Sequence, residues 1–320
     1  MKKVSSLLVL FSLVGCGGAA NVNSVPEIPT YIKTSTILLN EEKTIDAMSV
    51  GVDIGGPIVL DSTHRRPEVT SSTQHDIDYE SQAKLSYNND GTLNKISVIT
   101  NDRSLTWENS AMFVNAVDDT FGMGIVVASE QPSSTSGNIA LFVNPAVTNS
   151  LAYNYQAFGT WLGAEDLGND LWNGYIGAMS IGTPTASVSV PSTGVSAFRG
   201  YTTGVHVSAS PEDAQTQTAF TASEFLLNAD FAARNLSFVT TNTNVHIYGW
   251  LTTNSDLDLS GTLTYSPATN SFTGGVTSAG GMAGSASGRF YGPNAEEVGG
   301  LFSVSDGSVS TYTGSFGGKQ

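Results

Sequence analysis

From about residue 80 onward, apolar and polar positions alternate with a period of two in short runs bounded by Gly, Asn, Asp, Ser or Pro. Ala83-Lys84-Leu85-Ser86-Tyr87 and residues 93–99 flank Asn88-Asn89-Asp90-Gly91, a pairing that predicts a β-hairpin. Strands are also predicted at 111–117, 124–128, 139–143 and 151–158. The second half is denser, with runs at 196–207, 218–231, 236–240, 245–251, 257–265, 271–276, 285–291, 298–304 and 309–316. Spacing of roughly 8–12 residues is that of an all-β sandwich or closed barrel. No segment keeps a 3.6-residue apolar period over three turns, and residues 41–50 form the one stretch that tolerates a helix.

Glycine favours closure over a flat sheet. Gly200, Gly204, Gly249, Gly261, Gly288, Gly299, Gly300 and Gly314 fall in or beside the predicted strands, next to Tyr201, Tyr248, Trp250, Phe290, Phe302 and Phe316. Such positions let a small barrel bend while an aromatic covers the gap, and a barrel removes exposed edges. The composition agrees. Charged residues are 13% of the 320, against ~25% in an average domain. Their place is taken by 34 Gly, 40 Ser and 34 Thr. A net charge of −15, with no basic residue from Ser104 to Phe198, excludes a phosphate-binding surface and hence nucleic acid as a partner.

The single cysteine rules out an internal disulfide. Met1-Lys2-Lys3, an apolar run to Val14, and then Leu13-Val14-Gly15-Cys16 read as a secretory signal too short to span a bilayer. Leu-Val-Gly-Cys resembles the lipobox of bacterial lipoproteins, which implies cleavage before Cys16, diacylglycerol on its sulfur and acylation, by palmitate, of its new amino group. Several acyl chains anchor a protein stably. Gly17 after the cysteine resembles the outer-membrane sorting pattern. The expected organisation is a signal peptide at 1–15, a flexible tether at 16–35, a handle-like antiparallel β module at 36–185 and an eight-stranded antiparallel barrel at 186–320.

The segment Gly284-Ser-Ala-Ser-Gly-Arg-Phe-Tyr-Gly-Pro-Asn-Ala-Glu-Glu-Val-Gly-Gly-Leu-Phe302, with the terminal Gly314-Ser-Phe-Gly-Gly-Lys-Gln320, resembles the closing strands of the barrel domain in transferrin-binding protein B. Tyr155-Gln-Ala-Phe-Gly-Thr-Trp161, Asp230-Phe-Ala-Ala-Arg-Asn-Leu-Ser-Phe238, Leu259-Ser-Gly-Thr-Leu263 and Phe272-Thr-Gly-Gly275 are similar to other parts of that domain. The resemblance implies a single-lobed surface lipoprotein of the outer membrane that captures an iron- or haem-bearing protein or a small solute and passes it to a TonB-dependent receptor. A relative that recruits a complement regulator supplies the alternative.

Which residues would hold a ligand is unknown from sequence, and no resident cofactor or metal is expected. Haem enters only as a ligand, with His64 or His75 as axial donor. His206 and His246 sit between apolar neighbours and are expected on the solvent face of their strands. Phe290 to Pro293 and Glu296-Glu297 are expected to be a turn and its solvent face, and Asp118-Asp119 and Glu165-Asp166 with Asp170 to be solvated turns. No Gly-x-Ser-x-Gly, Cys-x-x-Cys, His-x-x-x-His or phosphate-loop pattern occurs, so no enzymatic activity is expected.

Overall fold

A computed structural model describes Tyr31 and residues 42–60, 65–87, 93–108, 112–113, 125–129, 136–143, 153–208, 218–247 and 250–320. The Cys16 lipobox, His64, Asp118-Asp119 and the 88–91 hairpin turn lie outside these residues. Among the described residues there is no α-helix.

The first half forms one antiparallel sheet. Its strands are β1 (Lys43–Leu60), β2 (Arg65–Pro67), β3 (Ser71–Gln74), β4 (Gln82–Tyr87), β5 (Leu93–Ile99), β6 (Ser104–Glu108), β7 (Met112–Phe113), β8 (Ile125–Ser129), β9 (Ser136–Val143), β10 (Gln156–Gly168) and β11 (Leu171–Gly182). They run in the order β6-β5-β4-β1-β11-β10-β9-β8-β7, with β2 and β3 paired on β1. The sheet curls on itself, bringing Trp107 of β6 within 6.0 Å of Phe142 and 6.5 Å of Trp161, ring centre to ring centre. Its concave core includes Ile45, Leu85, Ile96, Val98, Met179 and Ile181.

The second half is a closed eight-stranded barrel. Its strands are β12 (Val195–Val207), β13 (Thr218–Asp230), β14 (Asn235–Ile247), β16 (Leu259–Tyr265), β17 (Ser271–Ser278), β18 (Ala283–Tyr291), β19 (Glu297–Ser305) and β20 (Thr311–Lys319), with β20 returning to β12 and the short β15 (Trp250–Thr253) added on β14. All pairings are antiparallel. The lumen is filled with aromatics. Phe290 is a hub, 5.3 to 6.0 Å from the rings of Phe198, Phe231, Tyr265 and Phe272.

The expected all-β architecture is therefore present, with three local differences. Residues 43–50 are the start of the long strand β1 and not a helix. Ala47, Met48, Val50, Val52 and Ile54 are all buried, because β1 is covered on both faces, and two-sided burial erases the alternation that marks a strand. The same cause hid most of β10 and β11, where the rings of Phe142 and Tyr175 cross the backbone at Gly159 and Gly163. The separately predicted strands at 236–240 and 245–251 are largely one strand, β14, interrupted by a bulge. There Asn242 takes a φ of 56° and the inward positions shift from Leu236 and Phe238 to Thr243 and Val245.

The curled sheet packs on the barrel's outer wall, with β1, β10 and β11 lying over β12, β19 and β20. Val205 and Val207 of the barrel join Val52, Ile54, Trp172 and Ile176, while Leu301 joins Met48, Val50 and Ala178. Beside them Phe158 lies against Gly317. A Cβ built there would fall 2.2 Å from its ring. Gly317→Ala is expected to lower stability by about 2 kcal/mol through overpacking. Gly275, whose Cβ would meet nothing closer than 3.9 Å, is expected to tolerate alanine within ~0.5 kcal/mol. Urea unfolding of the two variants checks the contrast.

Candidate functional site

Two places gather polar chemistry. The first is the seam between the curled sheet and the barrel. Glu297 opens β19 and is 2% exposed. Its carboxylate accepts the backbone N–H groups of Asn154 (2.6 Å) and Tyr155 (3.1 Å), at the entry to β10. Two residues further on, the Gln156 amide donates to Val298 O (2.8 Å) and Gly318 O (3.1 Å), tying β10 to β19 and β20. Tyr153 donates its hydroxyl to Gly317 O (2.9 Å), and the Ser315 hydroxyl donates to Gly159 O (3.0 Å). The Tyr291 and Ser180 hydroxyls share a bond of 3.0 Å across the same seam.

This corrects the reading of Glu296-Glu297 as a solvent face. Glu296 closes the turn after Gly292 by accepting from the Asn294 N–H and side-chain amide. Glu297, one residue on, points away from the lumen into the covered seam. Burial drives its pKa from 4.5 up to about 7, with Glu296 adding to the rise and the two N–H donors and Lys319 opposing it. Phe290 is wholly buried in the barrel core, so the turn motif is mainly structural.

His206 is also misplaced by a solvent-face reading. Its neighbours Val205 and Val207 face the curled sheet, so alternation turns the imidazole inward, edge-on to Tyr312 at 6.3 Å. Burial lowers its pKa from 6.5 to about 4, against an opposing pull from Asp306. His246 lies beside Val245, which is part of the lumen core, and so faces outward; the two histidines do not converge. Glu165, Asp166 and Asp170 belong to the β10–β11 hairpin, where Asp166 accepts the Gly168 N–H at 2.8 Å. Among the described residues no three His, Cys, Asp or Glu side chains are grouped as metal ligands.

The second place is a cleft of about 320 Å³ on the concave side of the curled sheet, lined among others by Asp53, His75, Asp102, Arg103, Trp161 and Tyr175. His75 Nε2 lies 2.8 Å from Asp53 Oδ2, so the imidazole is already engaged by a carboxylate. Arg103 donates to Asp53 Oδ1 at 2.9 Å and places its guanidinium 4.1 Å from the centre of the Tyr175 ring. Apart from His75, the sequence reading missed this set, because its members come from five separate strands and turns. One signal was present: Arg103 is the last cation before the long stretch without any.

The seam makes a pH prediction. Between pH 4.5 and 7 the folded chain keeps a proton on Glu297 that the unfolded chain releases, so this group's stability contribution falls as pH rises. Between pH 4 and 6.5 the unfolded chain binds a proton at His206 that the folded chain refuses, so that contribution rises with pH. Each slope is at most ~1.4 kcal/mol per pH unit, and over the shared window they oppose. Relative to the parent, Glu297→Gln is expected to leave a rising limb and His206→Gln a falling one. Urea unfolding across that window measures both, and a Glu297→Gln profile parallel to the parent's would contradict the assignment.

Residues 190–320 match the family model described as the C-lobe and N-lobe beta barrels of Tf-binding protein B. No curated protein matches the chain. Similar solved structures include a variant of transferrin-binding protein B from Haemophilus parasuis Hp5, 11% identical with TM-score 0.38, covering 87% of this chain and 76% of that one. The N-lobe domain of lactoferrin-binding protein B of Moraxella bovis is 13% identical with TM-score 0.41, covering 86% of this chain and 99% of its own. The matched segment takes in every strand of the closed barrel and its motif from Phe290 to Phe302. Residues 190–320 are therefore similar to the barrel domain of transferrin-binding protein B.

Proposed function

We propose that this chain is a lipid-anchored binding protein of the outer-membrane surface that captures a host iron-carrying protein. The match of residues 190–320 to the Tf-binding protein B barrel model carries this reading. The Leu13-Val14-Gly15-Cys16 lipobox supports the anchor, and the scarcity of charge and wealth of Ser, Thr and Gly suit a surface-displayed β scaffold. On this reading the barrel is support, and specificity resides in what its connections and the curled sheet present. Transfer of the cargo to a TonB-dependent receptor is the expected next step.

Two measurements test the proposal. Full-length chain immobilised on a sensor surface is expected to bind iron-loaded transferrin or lactoferrin and not serum albumin; binding to neither iron protein would contradict it. Cys16→Ser is expected to abolish incorporation of labelled palmitate and to release the chain from the membrane fraction. Retention of label in that variant would overturn the anchor.

A further inference from the structure

Three features gather at one end of the barrel, where β12, β14, β17 and β19 begin and β13, β16, β18 and β20 finish. The first is where the chain arrives from its N-terminal side. Tyr31 accepts the Ala186 N–H on its hydroxyl at 2.9 Å, and its ring stands edge-on to Tyr155 at 6.4 Å. Tyr155 packs beside Gly292 in the β18–β19 turn, so Tyr31 is seated on this end. Cys16 precedes Tyr31 by fifteen residues, which puts the anchoring residue at most about 54 Å away. The strand β12 is itself roughly 40 Å long, so the covalent link alone does not decide which end of the barrel faces a bilayer.

Charge does decide it. Residues 190–320 hold four cations, Arg199, Arg234, Arg289 and Lys319, and all four are at this end. Arg199 and Lys319 are cross-strand partners, Arg289 pairs with the first residue of β17, and Arg234 is in the β13–β14 turn. Of the acids here Glu297 is buried, which leaves Asp230 and Glu296 against four positive charges. The opposite end has Asp256, Asp258 and Asp306 and no Lys or Arg. Four cations are too few to grip a nucleic acid, and the net charge of −15 conceals their segregation. The curled sheet is less one-sided: Lys43, Lys84 and Lys95 lie toward this end, whereas Arg65, Arg66 and Arg103 lie away from it. Apolar exposure falls in the same place as the barrel's cations. Val195, which opens β12, is 78% exposed, and Val188, two residues past Ala186, is 73% exposed. Among the described residues no other large hydrophobic side chain exceeds the 50% of Leu171.

We infer that this end of the barrel rests on the negatively charged lipid surface that holds the anchor, with Arg199, Arg234, Arg289 and Lys319 at the headgroups and Val188 and Val195 at the boundary beneath them. Cations and exposed apolar groups on one face are what a protein presents to an anionic membrane, the first drawn by the surface potential and the second by burial. The acidic end is repelled by the same surface and points away from it. The inference rests on the lipid-anchored reading of Cys16.

Acylation blocks Cys16, so a cysteine introduced elsewhere is the one thiol that a fluorophore can label in the full-length lipidated chain. Ser266→Cys places the label in the turn after β16, at the lipid-facing end, and Ala279→Cys places it in the turn after β17, at the far end. The two chains are reconstituted in phosphatidylglycerol vesicles that contain a lipid with a nitroxide on its headgroup. Because β17 sets the turns roughly 23 Å apart, the label at 266 is expected to be quenched about threefold more strongly than the label at 279. The contrast is expected to shrink in phosphatidylcholine, and to fall about twofold in the Arg199→Gln, Arg234→Gln double variant, whose two positions are exposed. Equal quenching at both positions, or stronger quenching at 279, would overturn the inference. Flotation with the vesicles separates the two readings. A chain that floats but is quenched equally at both ends contradicts the orientation alone, whereas a chain that does not float contradicts the anchor and this inference with it.

Discussion

The close approach of β10 to the glycine-bearing wall of the barrel determines how the two sheets sit together. Gly299 and Gly317 face each other across β19 and β20, and at both positions the outer surface of the wall is bare backbone. Gln156 enters over Gly299 and Phe158 over Gly317, each within a distance that any Cβ would forbid. From the lumen side, Phe316 crosses Gly300 in the same manner. The wall is thus thinned from both sides, so an aromatic lumen and a second sheet can share one pair of strands. Burying a phenylalanine such as Phe158 contributes about 2 kcal/mol, and the Gln156 amide satisfies two carbonyls that the close fit removes from water.

Other features follow from this contact. Glu297 is forced out of solvent because it sits at the start of a covered strand, and the two N–H groups of Asn154 and Tyr155 are what make its burial tolerable. His206 is turned into the lumen because Val205 and Val207 are needed on the covered side. The curled sheet uses its other, concave face for its own core and for the cleft at the edge of that core, since β1, β10 and β11 spend only one face on the barrel.

The barrel was legible because most of its strands keep one apolar and one polar face. Phe272 and Val276 alternate with exposed Ser271, Thr273, Gly275 and Thr277, and the run reads directly as a strand. Legibility failed where strands are covered twice. Residues 43–50 then lose their period and resemble a helix, and most of β10 and β11 gives no strand pattern at all. The seam could not be read from sequence, because it joins Asn154 to Glu297 across 143 positions. The cleft was hidden for the same reason, its Asp53–Arg103 pair spanning 50 positions. Local spacing carries no information about partners this far apart, whereas the Gly-Gly pairs at 299–300 and 317–318, visible in the sequence, marked where the backbone must be approached closely.

The central claim is that the curled sheet and the barrel are held as one cooperative unit by the glycine-lined wall and the Gln156 and Glu297 contacts. Scanning calorimetry of the full-length chain tests it most directly. The account expects a single transition whose calorimetric and van't Hoff enthalpies agree. Two separable transitions, one for each sheet, would contradict it.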